Sequence, residues 1–220
     1  MKLFGQSLCA GAVCRDCRRL WPTPFLLLFL AAAIVPCRAR ASDLTGNGSA
    51  SVISGDSYDY VYGRRAVGGD AVASGSLVNV SGGTVSMDLY GGSALSRNGS
   101  AEALNNSVNV SGGLSGFNDN IYGGYARSYV GGATADGNSV SMGGSLRLGP
   151  WVQAFGGYAR MSGGSGTVES VDNHVTIGGS ASLNFVVGGE AYAETSARGS
   201  SRSADNTVRL DDGSVSLLYG

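Results

Sequence analysis

Short runs of alternating apolar and polar residues recur along this chain at a nearly constant spacing. Val108 and Val110 flank Asn109, Val140 and Met142 flank Ser141, Val175 and Ile177 flank Thr176, and Val208 and Leu210 flank Arg209. Period-two alternation puts the aliphatics on one face of a β-strand and the polar residues on the other. A second run leads into an aromatic residue, as in Thr84-Val85-Ser86-Met87-Asp88-Leu89-Tyr90. Gly-Gly or a variant separates the two runs. A segment rich in Ser, Ala and Gly follows the aromatic and reads as a variable loop. No stretch has a helical period with caps.

Two markers keep step through these units. An aromatic-glycine step falls at Tyr62-Gly63, Tyr90-Gly91, Tyr122-Gly123, Phe155-Gly156 and Tyr219-Gly220, with Val187-Gly188 in phase, at intervals of 28, 32, 33, 32 and 32. Ahead of it lies Val78-Asn79-Val80-Ser81-Gly82-Gly83, then NSVNVSGG from Asn106, NSVSMGG from Asn138, NHVTIGG from Asn173 and NTVRLDDG from Asn206. A repeat of this length that cannot bury its apolar face alone must stack on its neighbours. Two architectures fit: an antiparallel array of hairpins with Gly-Gly turns, or a parallel β-solenoid with Gly-Gly corners. The in-phase units favour the second. They predict an all-β parallel solenoid of about five 32-residue repeats, in which like stacks on like at ~4.8 Å. The expected ladders are Asn106, Asn138, Asn173 and Asn206, and Tyr90, Tyr122, Phe155, Val187 and Tyr219, with Val on Val and Tyr on Tyr in one continuous core. For the asparagines two readings stand: amides hydrogen-bonded along the axis, or exposed turn residues.

The N-terminus changes the arithmetic. Residues 1–20 are polar and basic, Phe25 to Val35 is an apolar run too short to span a bilayer, and Ala39-Arg40-Ala41 suits a signal peptidase. Residues 1–41 therefore read as a signal peptide, 42–75 as a lead-in with a vestigial repeat around 51–63, and 76–220 as solenoid repeats, the last incomplete. The net charge of −1 divides into +5 for the leader and −6 for the rest, which has nine Arg, no Lys, no Cys and 35 Gly. Such a chain is no disulfide scaffold, thiolate metal site, lysine-dependent enzyme or electrostatic binder of nucleic acid. Each Gly inside a strand would cost roughly 0.5–1 kcal/mol relative to Ala. The sum exceeds the ~5–15 kcal/mol that holds a domain together, so most Gly belong at turns. The leader holds Cys9, Cys37 behind Pro36, a poor acylation site, and Cys14 and Cys17, a CxxC with no second pair.

Candidate chemistry is sparse. His174, the lone histidine, takes the slot of Ser107, Ser139 and Thr207 and turns outward; a triad would need it beside an Asp such as Asp172. Asp211 and Asp212 replace turn residues, and Glu190 and Glu194 fall in a variable loop. No Asp recurs at calcium-repeat spacing, and Asn-x-Ser sequons such as Asn79-Val80-Ser81 would matter only in a eukaryotic secretory route. No catalytic, metal or cofactor residue is assigned.

The NxVxISGG-like strands with Tyr122-Gly123-Gly124-Tyr125-Ala126 and Phe155-Gly156-Gly157-Tyr158-Ala159 resemble passenger repeats of bacterial autotransporters (type V secretion), over about residues 50–220. NSVSMGG with its loop is also, more faintly, similar to trimeric-autotransporter heads. The resemblance implies a β-solenoid exported through the inner membrane and displayed by a C-terminal barrel, serving adhesion, aggregation or biofilm. The sequence stops at Gly220 without a barrel, so a truncated reading frame, periplasmic residence and release are all expectations, as is self-association of uncapped strand edges. Expected partners are carbohydrate, host matrix or further copies of the chain, with no transmembrane helix after the leader. Tyr125, Tyr129, Tyr158 and Tyr192 are the candidate surface contacts, expected in loops and packing over the core edge. A polysaccharide-active β-helix enzyme is the alternative, and it predicts acids from different repeats converging in one groove. A third expectation is a Gly/Ser-rich chain that stays unfolded alone.

Overall fold

The structure is a computed structural model, and it describes residues 42–146 and 148–220. The leader and its four cysteines lie outside the described residues. The described chain is all β, arranged as three parallel sheets around one axis. An aromatic face stacks β1 (Ser42–Thr45), β3 (Ser57–Gly68), β7 (Leu89–Ser96), β10 (Asn120–Ser128), β13 (Gln153–Met161), β16 (Ser182–Ala193) and β19 (Ser214–Tyr219), with the short β6 (Thr84–Val85) beside β3. An alanine face stacks β4 (Ala71–Ser74), β8 (Ala101–Leu104), β11 (Ala133–Asp136), β14 (Ser165–Val171) and β17 (Arg198–Ala204). A valine face stacks β2 (Ser49–Val52), β5 (Leu77–Val80), β9 (Ser107–Val110), β12 (Ser139–Met142), β15 (His174–Ile177) and β18 (Thr207–Leu210).

Each strand pairs in parallel with its counterpart one turn away, so the hairpin alternative does not describe the molecule. Val140 lies between Val108 and Val175, and Tyr122 between Tyr90 and Phe155. The result is a β-solenoid of about five turns of roughly 32 residues. The lead-in belongs to the same stack, since β2 pairs with β5 and Tyr62 with Tyr90.

A turn has three strands where the sequence pattern suggested two. The third was hidden in the segment read as a variable loop. There Ala101 and Ala103, Ala133 and Ala135, and Val168 and Ser170 alternate inward and are fully buried. Between these small inward residues the outward ones range from Val72 through Thr134 to Glu102, so no consistent apolar-polar alternation marks the strand and a period-two search passes over it.

The interior has two compartments. Val52, Val80, Val108, Val140 and Val175 pack against Leu89, Ile121, Ala154 and Val186 of the aromatic face. Ala71, Ala103, Ala135 and Val168 pack against Ala94, Ala126, Ala159 and Met161. Where the compartments meet, Asn106, Asn138 and Asn173 are buried. Asn138 Oδ1 accepts both the backbone N–H and an Nδ2–H of Asn106, each at 3.0 Å, while Asn138 Nδ2 donates to Asn173 Oδ1 at 3.0 Å and to the Ala103 carbonyl at 2.8 Å. Asn173 repeats this with Asn206 at 2.9 Å and the Ala135 carbonyl at 3.0 Å. The geometry is that of the axial amide ladder, not of exposed turns. Opposite it, a Cβ on Gly124 would overlap the Asn138 amide, and Gly92, Gly157 and Gly189 abut their own asparagines in the same way. The residue before each ladder position has φ between 52° and 62°, as Asn105 (54°), Gly137 (62°) and Asp172 (52°), a region that Gly, Asn and Asp tolerate best.

The tyrosine column departs from expectation in its direction. Gly123 falls out of the strand register between Tyr122 and Gly124, so Ile121 and Ala126 point in while Tyr122 and Tyr125 both point out. The rings stack outside the aliphatic core and cover one another there. Alternation places the ring that follows an inward Ile or Leu on the opposite face.

Candidate functional site

The outer side of the aromatic face concentrates the chemistry. Tyr62, Tyr90, Tyr122 and Phe155 stack with centroids 4.9, 5.1 and 5.1 Å apart, the first pair nearly parallel at 3°. The column continues through Val187 to Tyr219. Tyr125 and Tyr158 form a second stack at 5.5 Å that meets the first edge-on. These two candidates, with Tyr192, lie in strands β10, β13 and β16, not in loops, and Tyr129 follows β10 directly. The strand carries on past Gly-Gly to the alanine-face corner, which is why the loop expectation failed. Burial raises the hydroxyl pKa of Tyr62, Tyr90, Tyr122, Tyr125 and Tyr158, so the band stays neutral in water near pH 7.

Two carboxyls missed in the sequence meet at one edge of this band. Tyr90 donates its hydroxyl to Asp88 Oδ2 at 2.7 Å, and Asn120 Nδ2 bridges Asp88 Oδ1 at 3.1 Å and Asp119 Oδ1 at 2.8 Å. Burial, and then the hydrogen bond and charge of Asp88, push Asp119 up to about 6. The two acids come from successive turns, 31 residues apart, one short of the usual repeat interval, so neither falls at a repeated position.

At the other edge, Arg127 and Arg160 occupy one column, between Leu95 and Tyr192. Arg127 lies 4.7 Å from the Tyr129 ring centroid and Arg160 5.8 Å from that of Tyr192. Arg160 Nε and Nη2 both donate to Glu194 Oε1, the Nε bond at 2.8 Å, and Ser162 Oγ donates to the same oxygen at 3.0 Å. The hydrogen bonds from Arg160 and Ser162 hold Glu194 below the usual carboxylate range. Glu190, expected in a loop, sits in β16 above Tyr158, where burial raises its pKa.

The remaining candidates are scattered. His174 faces outward on the valine face, its Nδ1 2.6 Å from Thr207 Oγ1 and its Nε2 3.3 Å from Asp172 Oδ1. All three groups are exposed, so water competes for each contact. Asp211 and Asp212 follow β18 at the corner before Gly213, and Asp211 Oδ1 accepts from Arg209 Nε at 2.6 Å. A cleft of about 330 Å³ lies at the next corner, lined by Leu148, Pro150, Ser182, Leu183, Asn184 and Ser216. Trp151, 65% exposed, follows that lining in the chain. Among the described residues no helix is long and apolar enough to cross a membrane.

Comparison with protein-family models, curated proteins and solved structures finds no match.

Proposed function

We propose that this chain is an exported, non-enzymatic β-solenoid of the autotransporter-passenger type, working as a spacer and adhesive surface. The observation that carries the reading is the in-register stack. Identical side chains form axial ladders with every interior amide paired, and such a rod needs no partner to stay ordered. Its outward aromatic band and corner residues are then free to contact carbohydrate, host matrix or another copy. The leader pattern and the passenger-like repeats support export.

The test is expression of the full chain in a Gram-negative host. The mature chain should begin at Ser42 and be found outside the cytoplasm, and beads coated with it should gather on cells or matrix. An uncut leader with cytoplasmic retention overturns the export reading, and inert beads overturn the adhesive one.

The contact between Asp88 and Asp119 favours weighing a second reading, a polysaccharide-active enzyme, because acids from two turns converge. Retaining and inverting glycosidases hold their carboxyls ~5–5.5 and ~6.5–9.5 Å apart, leaving room for a sugar or a water. Asp88 and Asp119 hold the same Asn120 Nδ2 between them, which fills the place that a sugar or an attacking water would need. Release of reducing ends from a polysaccharide panel, lost in Asp119→Asn, would reverse that preference.

A further inference from the structure

The repeat supplies its own comparison at the edge of the aromatic face. Ser162 N–H donates to the Ser128 carbonyl at 2.9 Å and Glu194 N–H to the Met161 carbonyl at 2.9 Å. Ser128 and Met161 are register partners. Ser162 therefore stands to Arg127 as Glu194 stands to Arg160, one turn on and two residues along. In the Arg160 copy a carboxylate at that position takes the guanidinium's Nε–H and Nη2–H. In the Arg127 copy the position holds a serine, whose Oγ is 3.4 Å from Nη2. Arg127 Nε is left buried with no hydrogen-bond partner, and no carboxylate among the described residues pairs with Arg127.

A buried guanidinium donor without an acceptor is an uncompensated cost in a fold whose interior asparagine amides are paired. We infer that Arg127, with Ser162, Tyr125 and the Tyr129 ring, is a subsite for the carboxylate of an acidic glycan, the ligand oxygen taking the place that Glu194 fills one turn on. The guanidinium swings off Tyr129 to present its Nε/Nη fork, the geometry in which Arg holds a carboxylate by two bonds. Tyr129, 38% exposed, then lies bare against the sugar ring. A uronate fits better than an acidic peptide. The strands here are paired on both sides, so a peptide finds no free edge to extend, whereas Ser162 Oγ lies 3.4 Å from Arg127 Nη2 and the Tyr125–Tyr158 stack stands two residues along the same strands. This inference rests on the binding-surface reading above and names its ligand.

The experiment titrates the exported chain with tetragalacturonate, its methyl ester and tetraglutamate, following the Arg Nε–H signals by NMR and affinity by calorimetry. The acid form should move the Arg127 Nε–H signal at one-to-one stoichiometry, and the ester should bind at least tenfold more weakly. Arg127→Lys should weaken binding about tenfold. Ser162→Glu should abolish it by supplying the carboxylate internally, with circular dichroism unchanged in both. Glu194→Ala should free Arg160 and raise the stoichiometry to two. Equal binding of the ester, undiminished binding by Ser162→Glu, or tighter binding of tetraglutamate overturns the assignment. Because export and bead adhesion are measured without these ligands, failure here leaves that result standing by itself.

Discussion

Replacing Asn138 with alanine removes the middle rung of the amide ladder, and the structure sets the cost. The Asn106 backbone N–H and Nδ2–H both lose their acceptor, Asn138 Oδ1, and the Ala103 carbonyl loses a donor. Asn106 is 1% and Asn138 0% exposed, so bulk water does not replace those bonds. Each buried donor left unpaired costs about 1–3 kcal/mol, and two of them give about 2–6 kcal/mol. If a water enters the vacated space the figure falls toward the lower end. Against a domain stability of ~5–15 kcal/mol this is a large fraction. Asn109→Ala on the outer valine face, where the side chain is exposed, should cost no more than ~0.5 kcal/mol. Urea unfolding followed by circular dichroism, with the slope checked between variants, measures both. Loss of less than 1 kcal/mol in Asn138→Ala, or equal loss in both variants, would refute the claim that the buried amides hold the turns together.

Three other outcomes follow from particular contacts. Gly124→Ala should destabilise by about 2 kcal/mol or more, because its Cβ runs into the Asn138 amide, while Gly143→Ala, with nothing within 4 Å, should be neutral or gain up to ~1 kcal/mol; thermal melts of the pair decide it. Ala135→Leu should cost about 1–3 kcal/mol by overpacking a fully buried position, whereas a surface loop would accept the change. Asp119 has a folded pKa of about 6 against 3.8 unfolded, so its protonated form stabilises the fold below pH ~4 and that contribution disappears as pH rises through 6. With solvent screening at this half-buried site the effect is about 1 kcal/mol, and Asp119→Asn should flatten the stability profile between pH 4 and 6.

Some of this molecule is written in local residue order. The 32-residue phase, the alternation of Val108 with Val110 and the Gly-Gly corners are local properties, and stacking units in phase is how such repeats bury their apolar face. Parallel order along one axis was therefore legible. The amide ladder was half legible: Asn at a fixed position suggested it, and the Gly, Asn or Asp before it, with φ between 52° and 62° at Asn105, Gly137 and Asp172, is a corner signal that could have decided it. The alanine strands were not legible, because small inward alanines alternate with outward residues as unlike as Val72, Glu102 and Thr134. Only packing against Ala126 and Met161 makes Ala133 and Ala135 interior. The direction of the tyrosines turned on one unpaired glycine, Gly123, which shifts alternation by a residue and sends Tyr122 and Tyr125 to the same side. The Asp88–Asp119 contact and the orphaned Arg127 were decided wholly in three dimensions. Residues some thirty positions apart meet there across a strand spacing of ~4.8 Å, and whether a charge finds its partner depends on which side chain the next turn places beside it.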